Sequence, residues 1–352
     1  MATVVGMHDV SPQQAKRSQR IGLLLLLAVL SASVIIQAVS AADSQDDLAA
    51  PSSVNGLKAT LSEVNGMRVR YYEAGRGEPL ILLHGGRLTV FNSANMWARN
   101  VTGLAQDFHV YALDRYGYGM TGAYADDNFT FEREVEFLHD FIDAKRLEHV
   151  NIVGNSSGAA VALLFAMTYP ERVSTLTMVA VGPHTPRTYT KGSIMMEACK
   201  NIADPQASWS CWMQAMTYRS DRTFDEAFFA ASEYMKNLPG WRAIEPRKVK
   251  GDPESGQEYW GPRLEKVRSE GVPDVPILLV CGQHDNLDWN AGDRTPQMKG
   301  CLSIFDTLGA NNSRVKLVAY NQAGHFPYRE LPEQFNRDLA DFVHYWSSRH
   351  AR

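Results

Sequence analysis

A series of short, mostly apolar runs, each closed by a glycine-bearing or polar loop, constrains this chain more than any other feature. Leu80 to Leu83 ends in His84-Gly85-Gly86, Val110 to Leu113 ends in Asp114-Arg115-Tyr116-Gly117, and Val150 to Val153 and Val173 to Val181 follow in the same manner. A strand that is apolar on both faces must be covered on both, as happens in parallel sheets whose crossovers are helices. The intervening segments supply those helices. Phe131 to Lys145 places Phe131, Val135, Leu138, Phe141 and Ile142 on one helical face, and Ser157 to Tyr169 is a small-residue helix stopped by Pro170. Ahead of them, Leu57 to Glu63 and Met67 to Glu73 flank Asn65-Gly66, the signal of a tight hairpin, so the sheet is expected to begin antiparallel.

After Gly182-Pro183 the pattern breaks. Residues 184 to about 271 show helical stretches, notably Phe224 to Leu238, and no clear buried strand. Strands resume at Val275 to Val280 and Val315 to Tyr320, and a helix from about Pro332 to Trp346 closes the chain. The expected class is α/β, a mostly parallel doubly wound sheet formed by residues 57–182 and 272–352, with residues 183–271 inserted as a helical cap. Such an insertion sits over the carboxyl ends of the strands, where open α/β sheets bind ligands. A net charge of −4 with 21% charged residues gives no polyanion-binding surface, so a small-molecule substrate is expected and nucleic acid is not.

The N-terminus has a different character. Lys16, Arg17 and Arg20 precede an apolar run from Ile21 to Val39, and Ser40-Ala41-Ala42 leads into an acidic stretch. Residues 1–41 therefore read as a secretory signal cleaved near Ala41, giving a secreted or periplasmic protein, with 42–56 as a linker. The competing reading is an uncleaved membrane anchor formed by residues 21–39. Cys199 and Cys211 lie close enough to pair. Cys281 reads as a small buried hydrophobe with Cys301 as its candidate partner. No cysteine or histidine cluster has metal-ligand spacing, and neither a metal nor another cofactor is expected.

Between a strand and a helix stands Gly154-Asn155-Ser156-Ser157-Gly158. A sharp strand-to-helix turn with glycines two residues either side of a serine exposes its hydroxyl above the sheet, so Ser156 is the expected nucleophile and Ser157 is not. The acid and base should follow in the order Asp, then His. Asp285 comes after the strand Val275 to Val280, with Asp288 as a rival, and no carboxylate follows Val181 in Gly182-Pro183-His184-Thr185-Pro186. His325, in the loop after the last strand, is the expected base. Backbone N–H groups of Gly86 and Ser157 are the expected oxyanion donors. His84 is expected to be a hydrogen-bonded supporting residue rather than a catalyst. Cap residues Trp212, Met213 and Met216, with Phe326, are the candidate substrate contacts.

Taken together, Leu83-His84-Gly85-Gly86, Asp114-Arg115-Tyr116-Gly117-Tyr118-Gly119, Gly154-Asn155-Ser156-Ser157-Gly158, Gly282-Gln283-His284-Asp285 and Gly324-His325 resemble the α/β-hydrolase superfamily. The resemblance implies a serine hydrolase of the α/β-hydrolase fold; dehalogenases and epoxide hydrolases generally carry Asp where Ser156 stands. Within the superfamily the chain looks most like esterases and the carbon–carbon bond hydrolases of aromatic ring-cleavage products. It departs from the latter at Gln214 and Phe326, where they usually have arginine and tryptophan, with Arg219 or Arg222 as substitutes for the arginine. The leading expectation is hydrolysis of a carboxylic ester or lactone of a small hydrophobic or aromatic substrate through an acyl-enzyme at Ser156. The alternatives are carbon–carbon cleavage of a ring-cleavage product, a proline iminopeptidase type of peptidase activity (Arg87 replacing the usual proline), and a non-catalytic ligand-binding receptor.

Overall fold

A computed structural model describes residues 52–86, 92–181, 198–251, 260–285 and 298–350. The leader or anchor expected at 1–41 lies outside the described residues. No helix among them is long and apolar enough to cross a membrane.

Eight strands form one sheet among the described residues: β1 (Ala59–Val64), β2 (Met67–Ala74), β3 (Glu78–Leu83), β4 (Phe108–Leu113), β5 (Val150–Asn155), β6 (Val173–Val179), β7 (Ile277–Gly282) and β8 (Val315–Tyr320). Their order is β1-β2-β4-β3-β5-β6-β7-β8. The β1–β2 pair is antiparallel, with Asn65 and Gly66 at φ 48° and 77° in its turn, as a two-residue hairpin requires. β2 also runs antiparallel to β4, and every later pairing is parallel. The chain leaves β3 for β4 on one side and returns to β5 on the other. The order thus reverses between β3 and β5, the switch point at which loops diverge and leave a crevice.

Side chains alternate between two cores. Leu80 and Leu82, Val110 and Ala112, and Leu278 and Val280 face one; Ile81 and Leu83, Tyr111 and Leu113, and Ile277 and Leu279 face the other. The first is covered by α1 (Ala98–Leu104) and the C-terminal helix α11 (Pro332–His350), through Val101, Leu104, Phe335, Leu339 and Val343. The second is covered by α2 (Phe131–Ala144), α3 (Ser157–Thr168) and α9 (Lys299–Gly309). Thr130 caps α2 by accepting the Arg133 N–H, and Glu132 and Glu134 occupy its first turn, where the helix dipole favours anions. Between β6 and β7 the described residues hold α4 (Pro205–Ala215), α5 (Ser220–Thr223), α6 (Glu226–Asn237), α7 (Pro239–Gly251) and α8 (Trp260–Glu270). Met213, Met216, Phe224, Phe228 and Phe229 of this insertion join the first core. The disulfides Cys199–Cys211 and Cys281–Cys301 are both formed. Sequence periodicity had singled out neither the seven-residue α1 nor α9.

Residues 52–56, expected to be linker, are partly core. Ser52 and Val54 are buried: Ser52 supplies a carbonyl to Arg70, and Val54 packs in the first core. Arg70 is itself fully buried on β2, where its Nη1 donates to Asp114 Oδ1 at 2.9 Å and its Nη2 to Ser52 O and Asn95 Oδ1. Asp114 also accepts the N–H groups of Ala94 and Met120. Burial alone would lower the Arg70 pKa, but Asp114 and the Tyr72 hydroxyl outweigh it and the net shift is upward. The pair thus joins β2, the end of β4, and the segments preceding α1 and following Gly119. Arg70→Met would leave Asp114 as a buried uncompensated charge and should cost about 3–5 kcal/mol of unfolding free energy. Chemical denaturation checks this, and a loss under about 1 kcal/mol would show the pair to be dispensable.

Candidate active site

Ser156 occupies the turn between β5 and α3 at φ 51°, ψ −120°, a conformation that costs a non-glycine residue of order 1–3 kcal/mol. Its neighbours enforce it. The Ser156 N–H donates to Val179 O at 2.9 Å, locking the turn to the end of β6, and its carbonyl accepts the Ala159 N–H as α3 begins. The flanking glycines are there for space. A Cβ on Gly154 would lie 2.3 Å from Gly158 O, and one on Gly158 would lie 2.4 Å from His84 O and 2.6 Å from Leu83 O. Any side chain at either position would lift α3 off β5 and off the end of β3.

The loops after β7 and β8 are joined by backbone hydrogen bonds, Gln283 N–H to Tyr320 O and His284 N–H to Ala323 O. A Cβ on Gly282 would fall 2.0 Å from Gly324 O, so the two loops meet backbone to backbone. That contact brings Asp285 to His325: Nδ1 lies 2.7 Å from Asp285 Oδ2, with both side chains largely buried. An Nδ1–H held by a carboxylate leaves the lone pair on Nε2, the form a general base needs. His325 is also tied to the serine turn. Asn155, the residue before Ser156, donates through Nδ2 to both Val179 O and His325 O at 3.3 Å. Asp288, the rival acid, lies outside the described residues, as does the segment after Val181.

Gly86, at φ 89°, ends the described part of the loop after β3. Its carbonyl accepts from Ser157 Oγ at 2.7 Å and from the Tyr118 hydroxyl at 2.9 Å. Ser157 Oγ in turn accepts from Arg115 Nη1, which also donates to His84 O, both at 2.8 Å. Arg115 is paired with Glu134 of α2 at 2.7 Å, and both are buried. Sequence reasoning assigned Ser157 only a backbone role. Here its hydroxyl connects a buried ion pair to the candidate oxyanion loop. Arg115 and Glu134 belong to two separate sequence segments, and nothing in their spacing marked them as partners.

His84 has both ring nitrogens engaged. Nδ1 donates to Gly85 O at 2.8 Å, and Nε2 accepts the Arg115 backbone N–H at 3.1 Å. Burial first, and then the Arg115 charge, hold its pKa well below the usual histidine value. Among the candidate substrate contacts, Phe326 packs edge-on to the His325 ring at 5.1 Å and to Phe224 at 5.2 Å. Met216 is buried and its carbonyl accepts the His325 N–H at 2.8 Å. Met213 is buried in the core, while Trp212 is half-buried and stacks on Trp209. The structure thus brings Met216 and Phe326 to the histidine and puts Met213 in the packing beneath.

A family model described as alpha/beta hydrolase fold matches residues 78–197. A 2-hydroxy-6-oxo-6-(2'-aminophenyl)hexa-2,4-dienoic acid hydrolase of Metapseudomonas resinovorans is 39% identical over 115 residues, and the match spans only 39% of that enzyme and 32% of this chain. A 2-hydroxy-6-oxo-6-phenylhexa-2,4-dienoate hydrolase of Comamonas testosteroni is 25% identical over 297 residues, 81% of this chain and 94% of its own. The solved meta-cleavage product hydrolase of Pseudomonas fluorescens IP01 superposes with a TM-score of 0.61, covering 81% of this chain and 97% of that one. At 21% identity this is a likeness of fold. Sheet order, serine turn and family match agree, and the chain has the α/β-hydrolase fold.

The depressed His84 pKa has a stability consequence with a definite sign. The unfolded chain takes up a proton near pH 6.5 that the folded chain does not, so His84's contribution is full above that pH and is lost as the pH falls below it. The loss is at most about 1.4 kcal/mol per pH unit. Thermal melts should show the melting temperature falling from about pH 7.5 to 5.5, and falling less in His84→Gln. Equal slopes in both proteins would place the titration elsewhere.

Proposed function

We propose that this protein is a serine hydrolase that cleaves the carbon–carbon bond beside a keto group in a ring-cleavage product of the 2-hydroxy-6-oxo-dienoate class. The Ser156 turn and the Asp285–His325 pair support serine chemistry. The bond class rests on one observation, the relative from Comamonas testosteroni, whose length is almost wholly matched and whose substrate is of that kind. This moves the reading away from the ester expected from sequence.

In the proposed reaction the substrate's enol passes its proton to C5, giving a 2,6-dioxo acid. Ser156 Oγ gives its proton to His325 Nε2 and adds to the C6 carbonyl, whose oxyanion takes N–H groups of Gly86 and Ser157. Asp285 stabilises the imidazolium. The C5–C6 bond then breaks, its electron pair delocalising into the 2-oxo acid, which takes the proton back from the His325 imidazolium and leaves as a dienol, so that Nε2 is free again. Water, deprotonated by His325, releases the remaining acyl group from Ser156 as a carboxylic acid.

Ester hydrolysis stays as the second reading because of Gln214. Its Nε2 donates to Ser210 Oγ within α4, and a neutral amide cannot neutralise a substrate carboxylate as an arginine does. For the location of the protein we infer export. The apolar leader motivates that inference, and the two disulfides support it, since such bonds persist in oxidising compartments. N-terminal sequencing that finds Met1 on a soluble species would reject it.

Ser156→Ala should abolish turnover in a folded protein, whereas Ser157→Ala, which removes a support of Gly86 and one acceptor of Arg115, should retain measurable activity. Asp285→Asn should lower turnover by about 10⁴ if the carboxylate acts as it does in serine proteases. The deciding assay follows loss of absorbance of a 2-hydroxy-6-oxo-dienoate beside release from a p-nitrophenyl ester. Turnover of the ester alone would install the second reading, and full activity in Ser156→Ala would reject both.

A further inference from the structure

The loop that carries His325 is built as much by the helical insertion as by the sheet. Behind it lies Glu330, the last residue of the short helix α10 (Pro327–Glu330). Its Oε2 accepts the Tyr218 N–H at 2.7 Å and the Arg219 N–H at 3.2 Å, both in the connection between α4 and α5. Its Oε1 accepts the N–H of Gly324, the residue before His325, at 2.7 Å. The bridge is closed from the other side, where the His325 N–H donates to Met216 O at 2.8 Å. A Cβ on Gly324 would lie 2.5 Å from Met216 O, so the two segments touch through bare backbone.

We propose that Glu330 is a positioning residue for His325: its carboxylate binds the histidine loop and the Met216–Arg219 segment of the insertion into one unit, so that the base is correctly placed only when the insertion is docked. This rests on His325 acting as the base for Ser156. A carboxylate suits the place because its hydrogen bonds among the described residues come from the backbone N–H groups of Tyr218, Arg219 and Gly324, and an ionised carboxyl is acceptor-only with room for several N–H groups. Glutamine would offer one acceptor oxygen and turn its NH₂ toward an N–H. Burial raises the Glu330 pKa, and the surrounding N–H groups of Gly324, Tyr218 and Arg219 oppose that rise. The next contact outward repeats the pattern. Arg329 donates to Thr223 O at 2.7 Å and lies over the rings of Phe224 and Phe228, while Phe224 meets Phe326. The two residues after Tyr328 thus both hold the insertion, and only Glu330 also holds the peptide adjoining His325.

The test compares wild type with Glu330→Gln in the full-length protein. The readouts are the melting temperature, the rate of Ser156 labelling by a fluorophosphonate, kcat and KM on the substrate found above, and the downfield proton resonance of His325 Nδ1–H. Displacement of a base by a fraction of an ångström predicts that labelling rate and kcat fall about 10- to 100-fold, with the resonance shifted or broadened. KM should stay within about threefold, because the base acts in the chemical step. A folded Glu330→Gln protein with wild-type labelling, kcat and resonance would overturn the proposal. So would an activity loss fully explained by unfolding at the assay temperature, with an unchanged resonance in the cold. If Glu330→Gln does not fold, Glu330→Asp, which keeps both acceptor oxygens on a shorter arm, carries the same comparison. An active Ser156→Ala protein would instead remove the serine reading, and the resonance would still report on Glu330.

Discussion

The first turn of α3 rests on the bare backbone at the end of β3, and the rest of the site depends on that contact. It exists because Gly158 has no Cβ to collide with His84 O and Leu83 O, and because Gly154 lets the helix fold back over its own strand. With α3 held so close, Ser156 is driven into its left-handed conformation, and Ser157 is carried within hydrogen-bond reach of Gly86. Asn155 is left facing Val179 and His325. One steric allowance therefore gathers Ser156, the candidate oxyanion loop and the His325 peptide near the switch point of the sheet. It also explains why a strained serine persists: the strain of order 1–3 kcal/mol is spread over a surround that has no room to relax.

Buried charge does the complementary work of satisfying loop carbonyls that no strand can pair. Arg115, anchored by Glu134, donates to His84 O and Ser157 Oγ, and Arg70, anchored by Asp114, donates to Ser52 O. Arg329 is a different case. It is fully buried, and burial together with Arg99 brings its pKa down to about 10, so the guanidinium is still charged near neutrality. Its charge is met by the carbonyls of Thr223, Asn95 and Met96 and by two phenyl faces. Arginine suits such a place because its planar, weakly hydrated head forks between acceptors and stacks on rings.

The two histidines of the site are told apart by their partners. His84 commits one nitrogen to a backbone carbonyl and accepts a backbone N–H with the other, which locks it neutral and makes it a brace for the Gly85-Gly86 turn. His325 places its Nδ1 against a carboxylate, which leaves the lone pair on Nε2. The insertion is part of this second arrangement, since Met216 O and the Glu330 bridge frame the loop that carries His325.

Sequence by itself determined the local features: which runs are strands, the hairpin at Asn65-Gly66 and the serine between its glycines, and it named Ser156, Asp285 and His325 as candidates. These are legible because alternation, turn chemistry and motif spacing act over a few residues; their order gave the doubly wound sheet, and the motifs they carry resemble those of α/β-hydrolases. It did not mark α1, which is short and weakly periodic, or the packing of Ser52 and Val54 against β2. Nor could it pair Arg115 with Glu134, or Glu330 with Tyr218, Arg219 and Gly324, for those contacts join residues that only the closed sheet and the docked insertion bring together. A buried ion pair and a carboxylate among backbone N–H groups carry no spacing rule, because their partners are chosen by position in space. The substrate's bond class lies further off still. The expectation of an ester came from a serine that serves many acyl chemistries, and its spacing carries no information on the walls that would choose among them.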